Sequence, residues 1–167
     1  PEIESFKEYF ESKASKKTVS MVEVNDEVVL EGSGSAFKKR MKDQTFGSGS
    51  RYGKYLFIKL SGDESLMFHF GMTGKFKYFK DDEEEPKYSR IIFNLKEGGK
   101  IAFVCRRKLG RVGLVDSKED FIKEIFVNLN LFKNFFSSLN ICFSITSSPL
   151  WIGIVQSGVD KKHVLRE

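Results

Sequence analysis

The residues best suited to chemistry in this chain fall in four short stretches. The sequence opens Pro1-Glu2. Proline at a free chain end is a secondary amine, which attacks a carbonyl-like carbon to give a positively charged iminium directly. A plainer reading stands beside it, since removal of an initiator methionine also leaves such a terminus. "RYGKYL" (51–56) puts Lys54 at the start of a strand, where a solvated ammonium is ordinary. "HFGMTG" (69–74) has the composition of a hairpin turn whose methionine fills a gap in the core. "CRRKLGR" (105–111) is a basic turn with one leucine for the core. Each has a purely structural use when taken singly.

These stretches need elements to hold them. "ESFKEYFESK" (4–13) spaces Phe6, Tyr9 and Phe10 as an amphipathic helix does. "VSMVEV" (19–24) and "EVVLEG" (27–32) alternate as strands around Asn25-Asp26, the composition of a tight hairpin. A short helix with a basic face is expected over 35–46, then a flexible connection, "GSGSR", at 47–51. Aromatic and branched residues then recur in strand-length runs at 54–60, 65–71, 75–79, 90–95, 100–105 and 111–116. Short strands joined by local turns indicate an antiparallel sandwich or barrel with helices at its edges. "SKEDFIKEIF" (117–126) carries a capping-box pattern, Ser117 to Asp120, ahead of a further helix.

Composition bounds the function. The 167 residues suit one domain, or one and part of a second, and 17 phenylalanines fit a sheet-rich core. A net charge of +5 permits a polyanionic partner without demanding one. The acids gather in "DDEEE" (81–85), a composition typical of a solvated loop. Cys105 and Cys142 make neither a disulfide framework nor a zinc pattern, so a reducing compartment is expected. His69 and His163 are too few and too far apart for a metal site. Residues 134–159 carry no charge, but Pro149, the many Ser, Thr and Asn residues and the lack of flanking basic clusters argue against a membrane span.

The order and spacing of the four stretches resemble the N-terminal domain of the formamidopyrimidine-DNA glycosylase and endonuclease VIII family. That family of base-excision repair enzymes uses an N-terminal proline nucleophile. The resemblance runs from Pro1 to about Asp116: Pro-Glu matches the family start, "RYGKYL" its lysine-bearing strand, and "HFGMTG" its His-Leu-Gly-Met-Ser-Gly turn. It implies a mainly β fold with flanking helices, an antiparallel two-sheet β-sandwich. It also implies removal of oxidised bases, followed by strand scission through β- and δ-elimination. Pro1 would be the nucleophile, Glu2 the acid/base group beside the sugar and Lys54 a phosphate ligand. Met72, Arg107 and Leu109 would fill the stack when the lesion flips out. Lys108 stands where the family usually has a phosphate-binding arginine, Tyr88 where one branch has a phosphate-binding histidine, and His69 joins the DNA-contacting set.

The implied partner is damaged double-stranded DNA. No cofactor and no metal are implied, and the expected form is a monomeric, intracellular, DNA-associated protein, in the nucleus of a eukaryote or in the cytoplasm or nucleoid of a bacterium. The chain departs from the family at "PEIESFK", which lacks a second proline, and at Cys105-Arg106, where Asp-Pro or a similar pair is usual. Residues 1–116 are expected as the catalytic domain and 117–167 as an atypical tail, in which neither the family's helix–two-turns–helix domain nor its zinc finger is legible. A DNA-binding sandwich without turnover is the alternative, and a β-rich protein with a membrane-associated tail a third.

Overall fold

The computed structural model describes residues 2–127. Pro1 and the uncharged stretch 134–159 lie outside the described residues. The chain divides into two compact units, Pro1–Lys118 and Glu119–Glu167. In the second, the described residues continue a helical stretch that starts at 118 and follows Ser117, with Lys123 paired to Asp120.

The first unit is a two-sheet antiparallel sandwich. Its elements are α1 (Glu2–Ala14), β1 (Val19–Val24), a 3₁₀ turn (Glu27–Val29), α2 (Gly34–Met41), β2 (Phe46–Tyr52), β3 (Tyr55–Leu60), β4 (Ser65–His69), β5 (Gly74–Phe79), β6 (Ser89–Leu95), β7 (Lys100–Cys105) and β8 (Arg111–Val115). One sheet runs in the order β1-β6-β7-β5 and the other β2-β3-β4-β8. Period-two alternation decides what lies between them. Leu56 and Ile58 of β3, Leu66 and Phe68 of β4, Ile91 and Phe93 of β6, and Ile101 and Phe103 of β7 share one buried core. Phe79, Ile92, Ala102 and Val104 form a separate cluster, as their opposite parity requires.

Helix α1 completes this core. Glu2 and Glu4 in its first turn and Lys13 in its last complement the helix dipole. Phe10 and Ala14 are buried, and Ile3, Phe6 and Tyr9 pack on the same cluster. The Phe10 ring lies 5.0 Å from Phe46 of one sheet and 4.9 Å from Phe76 of the other. Two side-chain oxygens of α1 accept backbone N–H groups: Tyr9 Oη from Tyr78 at 2.9 Å and Glu11 Oε1 from Gly49 at 2.7 Å.

Two expectations need correction. Residues 47–51 are not a flexible connection but the middle of β2, paired with β3. At Gly49 the absence of a side chain is a packing requirement, because a Cβ there would come within 2.9 Å of Lys7 Cγ and 3.2 Å of Ile58 Cδ1. Residues 27–32 are not a hairpin partner for β1, whose neighbour is β6. Asp26 accepts the Val28 N–H at 3.2 Å and starts the 3₁₀ turn instead, leaving Val29 and Leu30 buried. That local bond outcompetes the hairpin.

Phe10→Ala removes the ring that touches both sheets. It should lower the urea unfolding free energy by about 3–5 kcal/mol. Glu8→Ala on the exposed face should change it by less than about 0.5 kcal/mol.

Candidate functional site

Two loops meet at one end of the sandwich. The turn between β4 and β5 carries Met72, and the loop between β7 and β8 carries Arg107, Lys108 and Leu109. Thr73 Oγ1 accepts the Arg107 backbone N–H at 3.2 Å, and Arg107 Nη1 donates to Met72 Sδ at 3.4 Å. At Gly71 (φ +60°) the backbones come so close that a Cβ would sit 2.7 Å from the Leu109 carbonyl. Only glycine meets both demands. Met72 and Leu109 nevertheless remain 60% and 46% exposed, so two large apolar side chains flank an arginine in solvent. An apolar tip of this kind on a basic loop suits insertion into a stack of bases.

The loop is fixed from beneath. Arg90 Nε donates to the Cys105 carbonyl at 2.8 Å, and Arg111 Nη1 donates to the Lys108 and Gly110 carbonyls at 3.1 and 2.8 Å. Asp26 Oδ2 is 3.2 Å from Arg90 Nη1 and 2.7 Å from Lys108 Nζ. The Lys108 hydrogen bond, then the Val28 N–H and the Arg90 charge, hold the Asp26 carboxyl below its ordinary range. Lys108 is therefore engaged by a carboxylate, and any phosphate it binds must displace Asp26. Tyr88 is exposed at φ +68° and accepts the Cys105 N–H on its carbonyl at 3.1 Å. It brings no charge, but Lys87 Nζ and Arg90 Cζ lie 5.4 and 5.9 Å from its ring centroid.

His69 ends β4, opposite Tyr55 on one side and Arg111 on the other. Its ring lies 5.0 Å from that of Tyr55, only 7% of the residue is exposed, and Nε2 has no hydrogen-bond partner. Burial, reinforced by Lys54 and Arg111, pushes its pKa down to about 4, so the imidazole is neutral at pH 7. Lys54 itself is exposed in the turn between β2 and β3, where Arg51 Nε donates to the Gly53 carbonyl at 3.0 Å.

The start of α1 faces the same end. The Phe6 ring lies tilted at 4.5 Å from that of Phe70, the residue before Gly71, and the Arg51 charge acts on Glu4. Glu2 is exposed as the first helical residue. Thus Met72, Arg107 and Leu109 are brought together, His69 lies buried with Lys54 and Arg111 acting on it, and Lys108 is turned onto Asp26. Asp26, Arg90, Thr73 and Arg111 escaped the sequence reading. The one available signal was the run Arg106-Arg107-Lys108, whose mutual repulsion calls for a carboxylate somewhere. Among the described residues, no group of three or more His, Cys, Asp or Glu side chains gathers as a metal site, and no helix is long and apolar enough to cross a membrane.

Residues 1–112 match the family model of the formamidopyrimidine-DNA glycosylase N-terminal domain. The chain belongs to that family. It is 28% identical over 120 residues to a formamidopyrimidine-DNA glycosylase of Lactiplantibacillus plantarum, covering 72% of this chain and 44% of that protein. With its counterpart in Pelotomaculum thermopropionicum it shares 32% identity over 116 residues, covering 69% and 42%. It therefore spans less than half the length of these glycosylases. The fold is similar to that of Lactococcus lactis Fpg (MutM) in complex with a Fapy-dG containing DNA, with a TM-score of 0.70 and 22% identity, covering 77% of this chain and 48% of that one. The same enzyme in complex with an abasic site containing DNA matches equally well, at 0.70.

In this glycosylase-family domain the neutral His69 links stability to pH. Unfolding restores an ordinary histidine, so the unfolded state binds the extra proton between about pH 6.5 and pH 4. The His69 contribution is fully present above about pH 6.5 and is lost as pH falls towards 4, costing about 3 kcal/mol in all. Urea melts across that range should show the loss in the native chain and a flatter profile in His69→Gln.

Proposed function

We propose that this chain is the nucleophile-bearing domain of a bifunctional DNA glycosylase and AP lyase that removes oxidised bases from double-stranded DNA. The observation that carries the reading is the cluster of exposed Met72, Arg107 and Leu109, brought together on two loops by the Arg107–Thr73 and Arg107–Met72 hydrogen bonds. A phosphate at that end would receive charge from the exposed Lys54. The apolar side chains and Arg107 would then occupy the space left by a flipped nucleotide, and the arginine's fixed donors suit the orphaned opposite base.

The chemistry is that of a terminal secondary amine acting on the sugar. The Pro1 nitrogen attacks C1′ as the C1′–base bond breaks, and the base leaves with its electron pair and a proton. Opening of the sugar ring leaves an iminium between Pro1 and C1′, with Glu2 moving the proton to and from the ring oxygen. The iminium withdraws electrons, so the C2′ proton departs and the 3′ phosphate is eliminated. A second elimination releases the 5′ phosphate, and water frees the proline. Covalent attachment thus divides one difficult cleavage into easier steps. A DNA-binding domain without turnover is the second reading, favoured by the engagement of Lys108 with Asp26.

Borohydride trapping separates the two. The full chain with Pro1 as its free terminus should give a covalent adduct with abasic-site DNA, and one residue added before Pro1 should abolish it. Salt-sensitive duplex binding without an adduct would favour the second reading; neither binding nor adduct would refute both. Lys54→Ala should weaken duplex binding about tenfold and reduce its salt dependence by about one phosphate contact.

A further inference from the structure

The loop 105–111 poses a physical problem. Three consecutive cations, Arg106, Arg107 and Lys108, repel one another there, and Lys108 adopts φ +54°, a conformation that side chains with a Cβ disfavour. A loop of this kind left to itself would spread over many conformations. Its backbone is instead gripped at four carbonyls. Arg90 holds those of Cys105 and Arg106, the second at 3.4 Å from Nη2, and Arg111 holds those of Lys108 and Gly110. One carboxylate ties this arrangement together: Asp26 Oδ2 contacts both Arg90 Nη1 and Lys108 Nζ, while Oδ1 is fixed by the Val28 N–H. The side chains of Asp26 and Arg90 are only 11% and 15% exposed, so solvent screens their pairing little.

We propose that Asp26 and Arg90 are positioning residues, which hold Arg107 and Leu109 at the height and angle needed to enter a base stack. The inference rests on the glycosylase reading. Arg107 and Leu109 lie outside the set of gripped carbonyls, and their side chains stay exposed, that of Arg107 against Met72 Sδ, while the backbone around them is fixed. Ordering the loop before DNA arrives removes that entropic cost from binding. Neither residue need touch DNA to do this. Asp26 also neutralises Lys108, so of the three consecutive cations Arg106 and Arg107 have no carboxylate partner in the described hydrogen bonds and ion pairs, and Arg107 is the one that lies against Met72.

The test uses the full chain carrying Asp26→Asn or Arg90→Gln. In the free protein, amide exchange over 105–110 should accelerate at least about tenfold, while β3 and β4 stay protected. Elimination at an abasic site should fall about tenfold in a duplex, where the wedge is needed, and by less than about twofold in a single strand, where it is not. Asp26→Glu should recover part of the duplex rate. Unchanged loop exchange, or equal losses on duplex and single strand, would overturn the inference alone. An unaltered chain that eliminates neither substrate would overturn the glycosylase reading and the inference with it.

Discussion

Burial of Phe10 between the two sheets is the contact on which the rest of the domain depends. Sheets packed face to face leave an open side, and an aromatic ring touching Phe46 and Phe76 closes it. Because Phe10 lies two turns into α1, the same burial fixes where the helix begins. Glu2 is thereby placed at the end of the sandwich that also bears the β2–β3 turn and the Met72 turn. The hydrophobic effect is non-directional, but a helix anchored by Phe10, Ala14 and Phe6 along one stripe can rotate very little.

Electrostatics act on a finer scale. The site combines permanent cations with an imidazole that burial keeps neutral, so its charge near pH 7 comes from lysine and arginine. Asp26 is paired into the basic loop through Lys108 and beneath it through Arg90, and among the described ion pairs neither Arg106 nor Arg107 has a carboxylate. A basic loop that is locally neutralised at its base and cationic at its tip differs from a uniformly basic patch. It attracts a polyanion while retaining a defined shape.

The strands were legible wherever composition and alternation agreed. The runs at 54–60, 90–95 and 100–105 fall within a residue of β3, β6 and β7, because aromatic and branched residues suit a half-buried pleat. The strand over 46–52 was hidden because its glycines and serines have the composition of a loop, and at Gly49 it is the close approach of Lys7 on α1 and of Ile58 that calls for glycine. Residues 27–32 had the alternation of a strand, but a side-chain bond from Asp26 prevailed. At the site, the stretches bearing Met72, Arg107 and Leu109 stood out by motif. The network under them did not, because Asp26 and Lys108 are some eighty positions apart and local pattern carries no information about which acid answers which base.

The two bonds from α1 to the sheets have a consequence for solubility. β2 and β5 are each the terminal strand of their sheet, and each has a backbone N–H answered by this helix, through Glu11 and Tyr9. Terminal strands with unanswered polar groups are templates for pairing with another chain. The same helix therefore guards both seams against self-association, and a variant that loosens it would expose two strand edges at once.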